Sequence, residues 1–377
     1  MAWDFQRQLS DSHHHFSRKA GTWQRLHIDP LLLVILLALA AFGLTVLYSA
    51  AGQDIYFVKR QSVWFLISFI GMFIVAQINM QWLQRWAYWL FGGGILLLVG
   101  VLVFGVGAKG AQRWLSLGGF RFQPSEIMKL AVPMAIAAYF APRLLPPKFK
   151  HVCGGLVLIG IPTLLIALQP DLGTSILIAV SGIFVLFFAG LPWRYILGAC
   201  FLAVSSAPLF WYVLLHEYQK TRIKTLFNPE ADRLGAGWNI IQSKTAIGSG
   251  GVHGKGWMNG TQSHLDFLPE SHTDFIIAVL AEEFGLLGVV FLLGLYIALI
   301  SRGLWIGLTA KNTFSRLLAV SITLTFFIYV FVNMGMVSGI LPVVGVPLPL
   351  ISYGGTSVLT LMMGFGVLMA ISTERER

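Results

Sequence analysis

The residues from 265 to 283 carry the acidic side chains with the clearest capacity for chemistry. This stretch, LDFLPESHTDFIIAVLAEE, holds a large share of the chain's 16 acidic residues: Asp266, Glu270, Asp274, Glu282 and Glu283. Its second half reads as a membrane-spanning segment. A charged side chain at the centre of a bilayer costs at least about 2.5–3.5 kcal/mol, so such residues usually face a cavity and act there. The stretch is therefore the first candidate for a functional site.

Composition assigns the chain to the polytopic membrane proteins. Of its 377 residues, 56% are hydrophobic and 11% are charged, with a mean hydropathy of +0.75. Apolar runs of about 20 residues, each able to cross a hydrocarbon core of about 30 Å, recur along nearly the whole length. The two cysteines predict neither a disulfide framework nor a zinc site. The net charge of +10 does not require nucleic acid, because basic residues flank membrane spans and meet lipid headgroups.

We predict an all-α integral membrane protein with about ten transmembrane helices. The spans cover approximately residues 30–50, 62–79, 88–107, 125–142, 152–169, 172–190, 194–215, 273–299, 316–337 and 351–371. They form a single transmembrane domain, 29–372, between an N-terminal tail, 1–28, and a C-terminal tail, 373–377. Lys and Arg favour the loops on the side of the two tails, which predicts that both termini are cytoplasmic. A long loop, 216–272, between spans 7 and 8 is then periplasmic.

The predicted outer mouth of this domain carries charges of both signs. Its candidate substrate-binding residues are Arg113, Arg121, Glu126, Lys129, Asp171, Lys244 and Lys255. An anionic substrate such as a pyrophosphate would explain the cations, since Arg and Lys bind such groups through charge-assisted hydrogen bonds. Headgroup binding and loop solvation explain them equally well. Glu126 and Lys129 share one helix face, either as a structural ion pair or as a charged wall of a cavity.

Two segments near this mouth have unusual composition. The segment 338–357 is apolar, yet its three prolines exclude a continuous helix. A non-helical apolar segment at membrane depth must be buried in protein or line a cavity, which predicts a re-entrant loop between spans 9 and 10. The segment 235–257 is rich in glycine but lacks the spacing of a Walker A loop. Its glycines favour tight turns and close backbone approach to a substrate or partner.

Asp274 has two interpretations. Ser271 or Thr273 could cap a helix in whose first turn Asp274 complements the dipole. Alternatively, Asp274 is a general base at the membrane surface. Glu282 and Glu283 lie roughly 12 Å deeper if the segment is helical, which favours helix-packing or buried hydrogen-bonding groups over direct reactants.

Seven short motifs together resemble the SEDS family over essentially the full chain. They are KGAQRW at 109–114, RFQPSE at 121–126, QPDLGTS at 169–175, GSGG with GKGW at 248–257, FLPESHTDF at 267–275, AVLAEE at 278–283 and GVPLPLISYGG at 345–355. Residues 343–349 and the stretch QSHLDFLPE are similar to the cell-elongation branch of this family rather than to its division branch.

The resemblance implies a peptidoglycan glycosyltransferase that polymerises lipid II into β-1,4 glycan strands and releases undecaprenyl pyrophosphate. It implies that Asp274 is the essential acid, which would take a proton from the 4-hydroxyl of the acceptor. Inversion at the anomeric carbon would follow from an α-linked donor. Positive charge must stabilise the pyrophosphate leaving group, with Arg113, Arg121, Lys129 and Lys244 as candidates and Glu126 orienting them.

The resemblance also implies the surroundings of the enzyme. Its partners would be lipid II, undecaprenyl-pyrophosphate-linked glycan, a class B penicillin-binding protein, the elongation machinery and membrane lipid, with no nucleic acid. The location would be the bacterial inner membrane, with the active site facing the periplasm. No ligand cluster specifies a metal, and assistance by a divalent cation such as Mg²⁺ or Mn²⁺ is left open. A lipid II flippase and a non-catalytic scaffold for the transpeptidase are the rival functions.

Overall fold

The computed structural model describes residues 26–108, 111–117, 120–209, 211–212, 217–232, 235–261 and 271–374. Within them, α-helices dominate. They are α1 Pro30–Ala50, α2 Ile55–Ala76, α3 Met80–Phe104, α4 Pro124–Phe140, α5 Phe149–Ala167, α6 Leu172–Phe188, α7 Trp193–Leu209, α8 Glu217–Phe227, α9 Ala236–Gly250, α10 Ile276–Thr309, α11 Thr313–Val337 and α12 Gly355–Ser372. The predicted helical membrane fold is confirmed.

Each of the ten predicted spans overlaps one of these helices. Seven helices in the described part of the chain are long and apolar enough to cross a membrane. The helices α4, α6 and α7 have 17 residues each. At 1.5 Å per residue they are about 26 Å long, slightly less than a hydrocarbon core of about 30 Å. The exact number of spans therefore stays a prediction.

Two connections contain more structure than the sequence indicated. A small antiparallel sheet joins α3 to α4, with strands β1 Val106–Ala108, β2 Ala111–Leu117 and β3 Phe120–Phe122 in that spatial order. The region predicted as the loop 216–272 contains α8, a short 3-10 helix, Pro229–Asp232, and α9. The first part of the glycine-rich segment is thus helical rather than a series of turns.

Ion pairs and caps identify the two ends of the helical bundle. Arg302, near the end of α10, donates to Asp29 at 2.6 Å, and Asp29 also caps α1 by accepting from the backbone of Leu32. His27 lies 3.0 Å from Thr373, which follows α12. The start of α1 and the end of α12 therefore lie at the same end of the bundle. The turn that contains Asp274 lies at the opposite end, against the end of α1.

Helix α10 is broken at Gly285, where the backbone adopts φ 64° and ψ −161°. The chain after α9 lies along this break and supplies backbone hydrogen bonds, with Lys255 and Gly256 donating to the carbonyl groups of Glu282 and Glu283 at 3.0 and 2.9 Å. A Cβ on Gly254 would lie 2.1 Å from the Glu283 oxygen, so only glycine permits this approach. The predicted close approach exists, but it is made to the chain's own helix.

The segment between α11 and α12 is non-helical and deeply buried. Its apolar residues Val346, Leu348 and Leu350 are 3%, 1% and 1% exposed. Tyr296 of α10 donates to the carbonyl oxygen of Pro349 at 2.7 Å. The predicted non-helical character of this segment is confirmed, and protein surrounds its second half, whereas Ile340 is 71% exposed. Its re-entrant position in a membrane stays a prediction. We refer to residues 338–354 as the proline-rich segment.

Candidate active site

The turn 271–275 leads into α10 and is fixed by the proline-rich segment. The Tyr353 N–H donates to the carbonyl oxygen of His272 at 2.9 Å. The Ser352 hydroxyl donates to the carbonyl oxygen of Thr273 at 2.5 Å and accepts from the Leu348 N–H at 2.8 Å. These bonds satisfy backbone groups on both segments, so the position of the turn depends on the fold of residues 338–354.

The side chain of Asn333, in α11, connects the same two segments. Its amide nitrogen donates to the carbonyl oxygens of Asp274 and Val346, at 2.8 and 2.7 Å. The side chain is fully buried. One amide thus fixes the backbone of Asp274 relative to the proline-rich segment. Sequence reasoning missed this role, because Asn333 lies within an apolar span and belongs to no conspicuous motif.

Asp274 lies before α10 rather than in its first turn. The N-cap residue of α10 is Phe275, which makes no side-chain capping bond. The interpretation of Asp274 as a first-turn residue, capped by Ser271 or Thr273, was therefore wrong. The Asp274 side chain is partly exposed, and its Oδ2 lies 3.6 Å from the place that a Cβ would occupy on Gly345. Gly345 has φ +76°, a backbone conformation that only glycine adopts easily. The proline-rich segment therefore passes the carboxylate at a position that requires glycine.

Three aromatic rings form one wall beside this turn. The rings of Phe57, His272 and Tyr353 lie with centroids 5.1 to 6.1 Å apart. His272 and Tyr353 fall inside the conspicuous stretches HTDF and ISYGG, which was the available signal, whereas Phe57 precedes the predicted second span and carried none.

Arg113 and Asp171, both predicted to bind substrate, contact each other instead. Their side chains are 3.8 Å apart, and Arg113 also donates to the carbonyl oxygen of Pro170. Asp171 caps α6 through the Thr174 N–H at 3.3 Å and accepts from Gln123 at 3.2 Å. These contacts fasten β2 to the start of α6, which is a sufficient structural reason for both charges.

Glu126 and Lys129 form the ion pair that the sequence predicted as one of two alternatives. Their side chains are 2.6 Å apart and are only 8% and 12% exposed. The Lys129 ammonium also lies 5.0 Å from the centre of the Tyr329 ring. Lys129 lines a cavity of about 30 Å³ between α4, α11 and α12, which has room for about two water molecules. The cavity in this structure is too small for a sugar or a pyrophosphate.

Lys255 and the two buried acids of α10 likewise have hydrogen-bond partners within the chain. Lys255 donates to Glu282 at 2.7 Å, and the Thr261 hydroxyl donates to the same carboxylate at 2.9 Å. Ser49 of α1 donates to Glu283. Glu282 and Glu283 are therefore the buried hydrogen-bonding groups that the sequence predicted, and Lys255 neutralises one of them.

Lys244 differs from the other predicted cations that the structure describes. Its side chain is exposed and extends over Gly339, at the start of the proline-rich segment. The side chain of Arg121 lies outside the described residues, as do Asp266 and Glu270. In the ranges that are described, no group of three His, Cys, Asp or Glu residues could hold a metal ion.

The fold and the site define a polytopic membrane protein with an acidic residue at one mouth, held against a buried non-helical segment. Residues 29–377 match the FtsW/RodA/SpoVE family, described as cell cycle proteins. The chain belongs to this family, which confirms the SEDS resemblance.

Relatives and solved structures agree with this membership. The chain is 55% identical to the peptidoglycan glycosyltransferase MrdB of Escherichia coli K12, covering 95% of this chain and 97% of the relative. It is 39% identical to a probable peptidoglycan glycosyltransferase FtsW of Trichlorobacter lovleyi, covering 91% and 93%.

Two solved structures share the fold. One concerns the structural coordination of polymerization and crosslinking by a peptidoglycan synthase complex; its matching chain has a TM-score of 0.81 and 32% identity, covering 91% of this chain and 97% of that one. The other is the rod shape determining protein RodA of Thermus thermophilus, with a TM-score of 0.70, 30% identity, and coverage of 93% and 98%.

Proposed function

We propose that this protein is a peptidoglycan glycosyltransferase that polymerises lipid II into β-1,4 glycan strands during cell elongation. The observation that carries the proposal is the held position of Asp274. Its backbone is fixed by Asn333 and its neighbours by the proline-rich segment, while its side chain is partly exposed. A fixed carboxylate at an open mouth suits a general base, which must lie within hydrogen-bond reach of the proton it removes.

In the proposed reaction, Asp274 accepts the proton of the 4-hydroxyl on the GlcNAc of an incoming lipid II. The freed oxygen electron pair attacks the anomeric carbon of the growing chain. The bond from that carbon to the pyrophosphate breaks, and undecaprenyl pyrophosphate leaves with the bonding electrons. Attack opposite an α-linked leaving group gives the β-1,4 bond. The general base would contribute about 10²–10⁴-fold to the rate.

The leaving pyrophosphate requires positive charge that is available to substrate. Arg113, Lys129 and Lys255 each have a carboxylate partner within the chain, which makes them poorer candidates than the sequence indicated. We assign this role first to Lys244, because its ammonium is exposed beside the proline-rich segment. Arg121 stays a second candidate.

The test compares two aspartates at the same end of the bundle. Purified wild type, Asp274→Asn and Asp54→Asn would receive lipid II in detergent, and glycan polymer would be measured on gels. Asp54 is an exposed cap of α2 that accepts from the Tyr56 N–H at 2.8 Å, and Asn caps helices equally well. We expect polymer from wild type and Asp54→Asn, and about 10²–10⁴-fold less from Asp274→Asn.

Thermal unfolding of all three proteins would show whether a loss of product reflects a loss of fold. Near-normal polymerisation by a folded Asp274→Asn variant would refute the role of this residue. Absence of polymer under every condition, together with movement of lipid II across liposomes, would support the flippase. Absence of both activities would support the non-catalytic scaffold.

We further propose the expected setting of the enzyme. The similarity to a chain in a complex for polymerization and crosslinking supports a class B penicillin-binding protein as partner, which would crosslink the new glycan. His27 and Thr373 lie at the same end of the bundle, which supports two tails on the same side of the membrane. We assign that side to the cytoplasm. Asp274 then faces the periplasm.

A further inference from the structure

A group of cations lies at the end of the bundle opposite Asp274, where the α4–α5 loop meets the α6–α7 loop. We refer to these four cations and the adjacent His151, whose Nδ1 accepts a hydrogen bond from Arg143, as the basic cluster: Arg143, Lys148, Lys150, His151 and Arg194. Contacts between the two loops bring them together. The rings of Phe149 and Tyr195 have centroids 5.5 Å apart, and a Cβ on Gly190 would lie 3.3 Å from Pro146.

Arg143 is held in place by its neighbours. Its guanidinium lies 3.6 Å from the centre of the Tyr139 ring, and its Nε is 3.3 Å from Nδ1 of His151. Stacking and hydrogen bonding fix the plane of the guanidinium and leave further N–H groups available for an acceptor. Lys148, Lys150 and Arg194 are exposed around it.

The loops that form the basic cluster contain no acidic residue. Residues 140–152 and 188–196 lack Asp and Glu, as do residues 77–90 at the start of α3. Elsewhere at this end, acids meet local partners: Asp29 binds Arg302, and Glu374 accepts from Asn312. The positive charge of the basic cluster is therefore concentrated and lacks a counter-charge from its own loops.

Apolar and aromatic side chains surround the cluster on the outside of the bundle. Leu144, Phe149 and Trp193 are 94%, 60% and 67% exposed. On the neighbouring α3, Trp82 and Trp86 stack with ring centroids 5.3 Å apart. Exposed tryptophans are typical of the membrane–water interface, which places the cations at headgroup depth with apolar surface directly beside them.

We propose that the basic cluster is a binding site for the phosphate headgroup of an anionic phospholipid. Charge-assisted hydrogen bonds from Arg143, Lys148 and Lys150 would hold the phosphate. Its acyl chains would lie on the exposed apolar faces of α3 and α7. A water-solvated loop would need none of this apolar surface, whereas a phospholipid uses both features. The site is independent of the glycosyltransferase reaction.

The experiment uses the full chain in a neutral detergent with cardiolipin, phosphatidylcholine or inorganic phosphate as the added probe. Affinity would be measured by native mass spectrometry and by the rise of the unfolding temperature. The test variant is Lys148→Gln with Lys150→Gln, and both lysines are exposed. The control is Lys311→Gln with Arg316→Gln, which removes the same charge from exposed residues at the same end of the bundle.

We expect cardiolipin to bind more tightly than phosphatidylcholine and the test variant to bind it roughly 30-fold more weakly, while the control keeps wild-type affinity. An equal loss in the control variant would mean that diffuse charge, not this cluster, attracts lipid. Equal stabilisation by inorganic phosphate would mean that the cluster takes a free anion. No preference for cardiolipin over phosphatidylcholine would likewise overturn the proposal.

Discussion

Asn333 offers the sharpest test of how the fold positions the proposed base. We consider Asn333→Leu, because leucine has the same branching and the same number of side-chain heavy atoms as asparagine, and it removes the amide without leaving a large cavity. Two carbonyl oxygens, the buried one of Val346 and the partly buried one of Asp274, lose a donor at 2.7 and 2.8 Å. An unsatisfied buried acceptor costs about 1–3 kcal/mol, so the variant should lose about 2–6 kcal/mol of stability.

The folded variant should also lose catalytic rate, beyond any loss that comes from a smaller folded fraction. Without the amide, the turn 271–275 and the proline-rich segment can separate, and a displacement of about 1 Å at a reacting group can cost about 10²-fold in rate. Polymerisation of lipid II by the purified variant, measured at several substrate concentrations, should therefore show kcat reduced about 100-fold while KM changes little.

The matched control is Ser243→Ala. Ser243 is also fully buried and donates to a backbone carbonyl of α11, that of Val337, at 2.9 Å, but it does not contact the Asp274 turn. We expect this control to lose stability and keep its kcat. If Asn333→Leu keeps a normal kcat when folded, or if both variants lose activity only in proportion to stability, the positioning role of Asn333 is refuted.

Two further substitutions test the surroundings of the site. Gly345→Ala forces alanine into φ +76° at a cost of roughly 1–2 kcal/mol and places a methyl group 3.6 Å from the Asp274 carboxylate, the proposed base. Polymerisation should therefore fall further than in the control Gly52→Ala, whose position has φ +64° and open space around it. Lys255→Met removes the cation 2.7 Å from buried Glu282 and should lower stability by about 3 kcal/mol in denaturation measurements. Its control, Lys220→Met, removes the cation from a pair with Glu217, whose side chain is 82% exposed, and should change stability by less than about 1 kcal/mol.

Each of these outcomes has a clear opposite. Equal activity of the two glycine variants would mean that the contact beside the carboxylate is unimportant. An unchanged unfolding free energy in Lys255→Met would mean that the buried Glu282 does not depend on its cation, and the predicted substrate role of Lys255 would regain weight.

The sequence by itself determined the class of the protein and indicated the residue that we propose as the base. Apolar runs of membrane length predict the helices, because each must satisfy its own backbone in lipid. The three prolines of residues 338–357 predict the non-helical segment, because proline lacks the backbone N–H that a helix interior requires. Asp274 is conspicuous at a span boundary, and family resemblance selects it from its acidic neighbours. None of this information requires knowledge of which helices are neighbours.

Only the tertiary structure decided which charges have partners within the protein. Lys255 and Glu282, and Arg113 and Asp171, are separated in sequence and meet because helix packing brings them together. The link from Asn333 to Asp274 joins residues 59 positions apart. A sequence pattern shows which side chains are costly to bury, but helix packing determines the partner that offsets this cost. Packing pairs three of the predicted cations with carboxylates of the same chain and leaves the Asp274 side chain partly exposed.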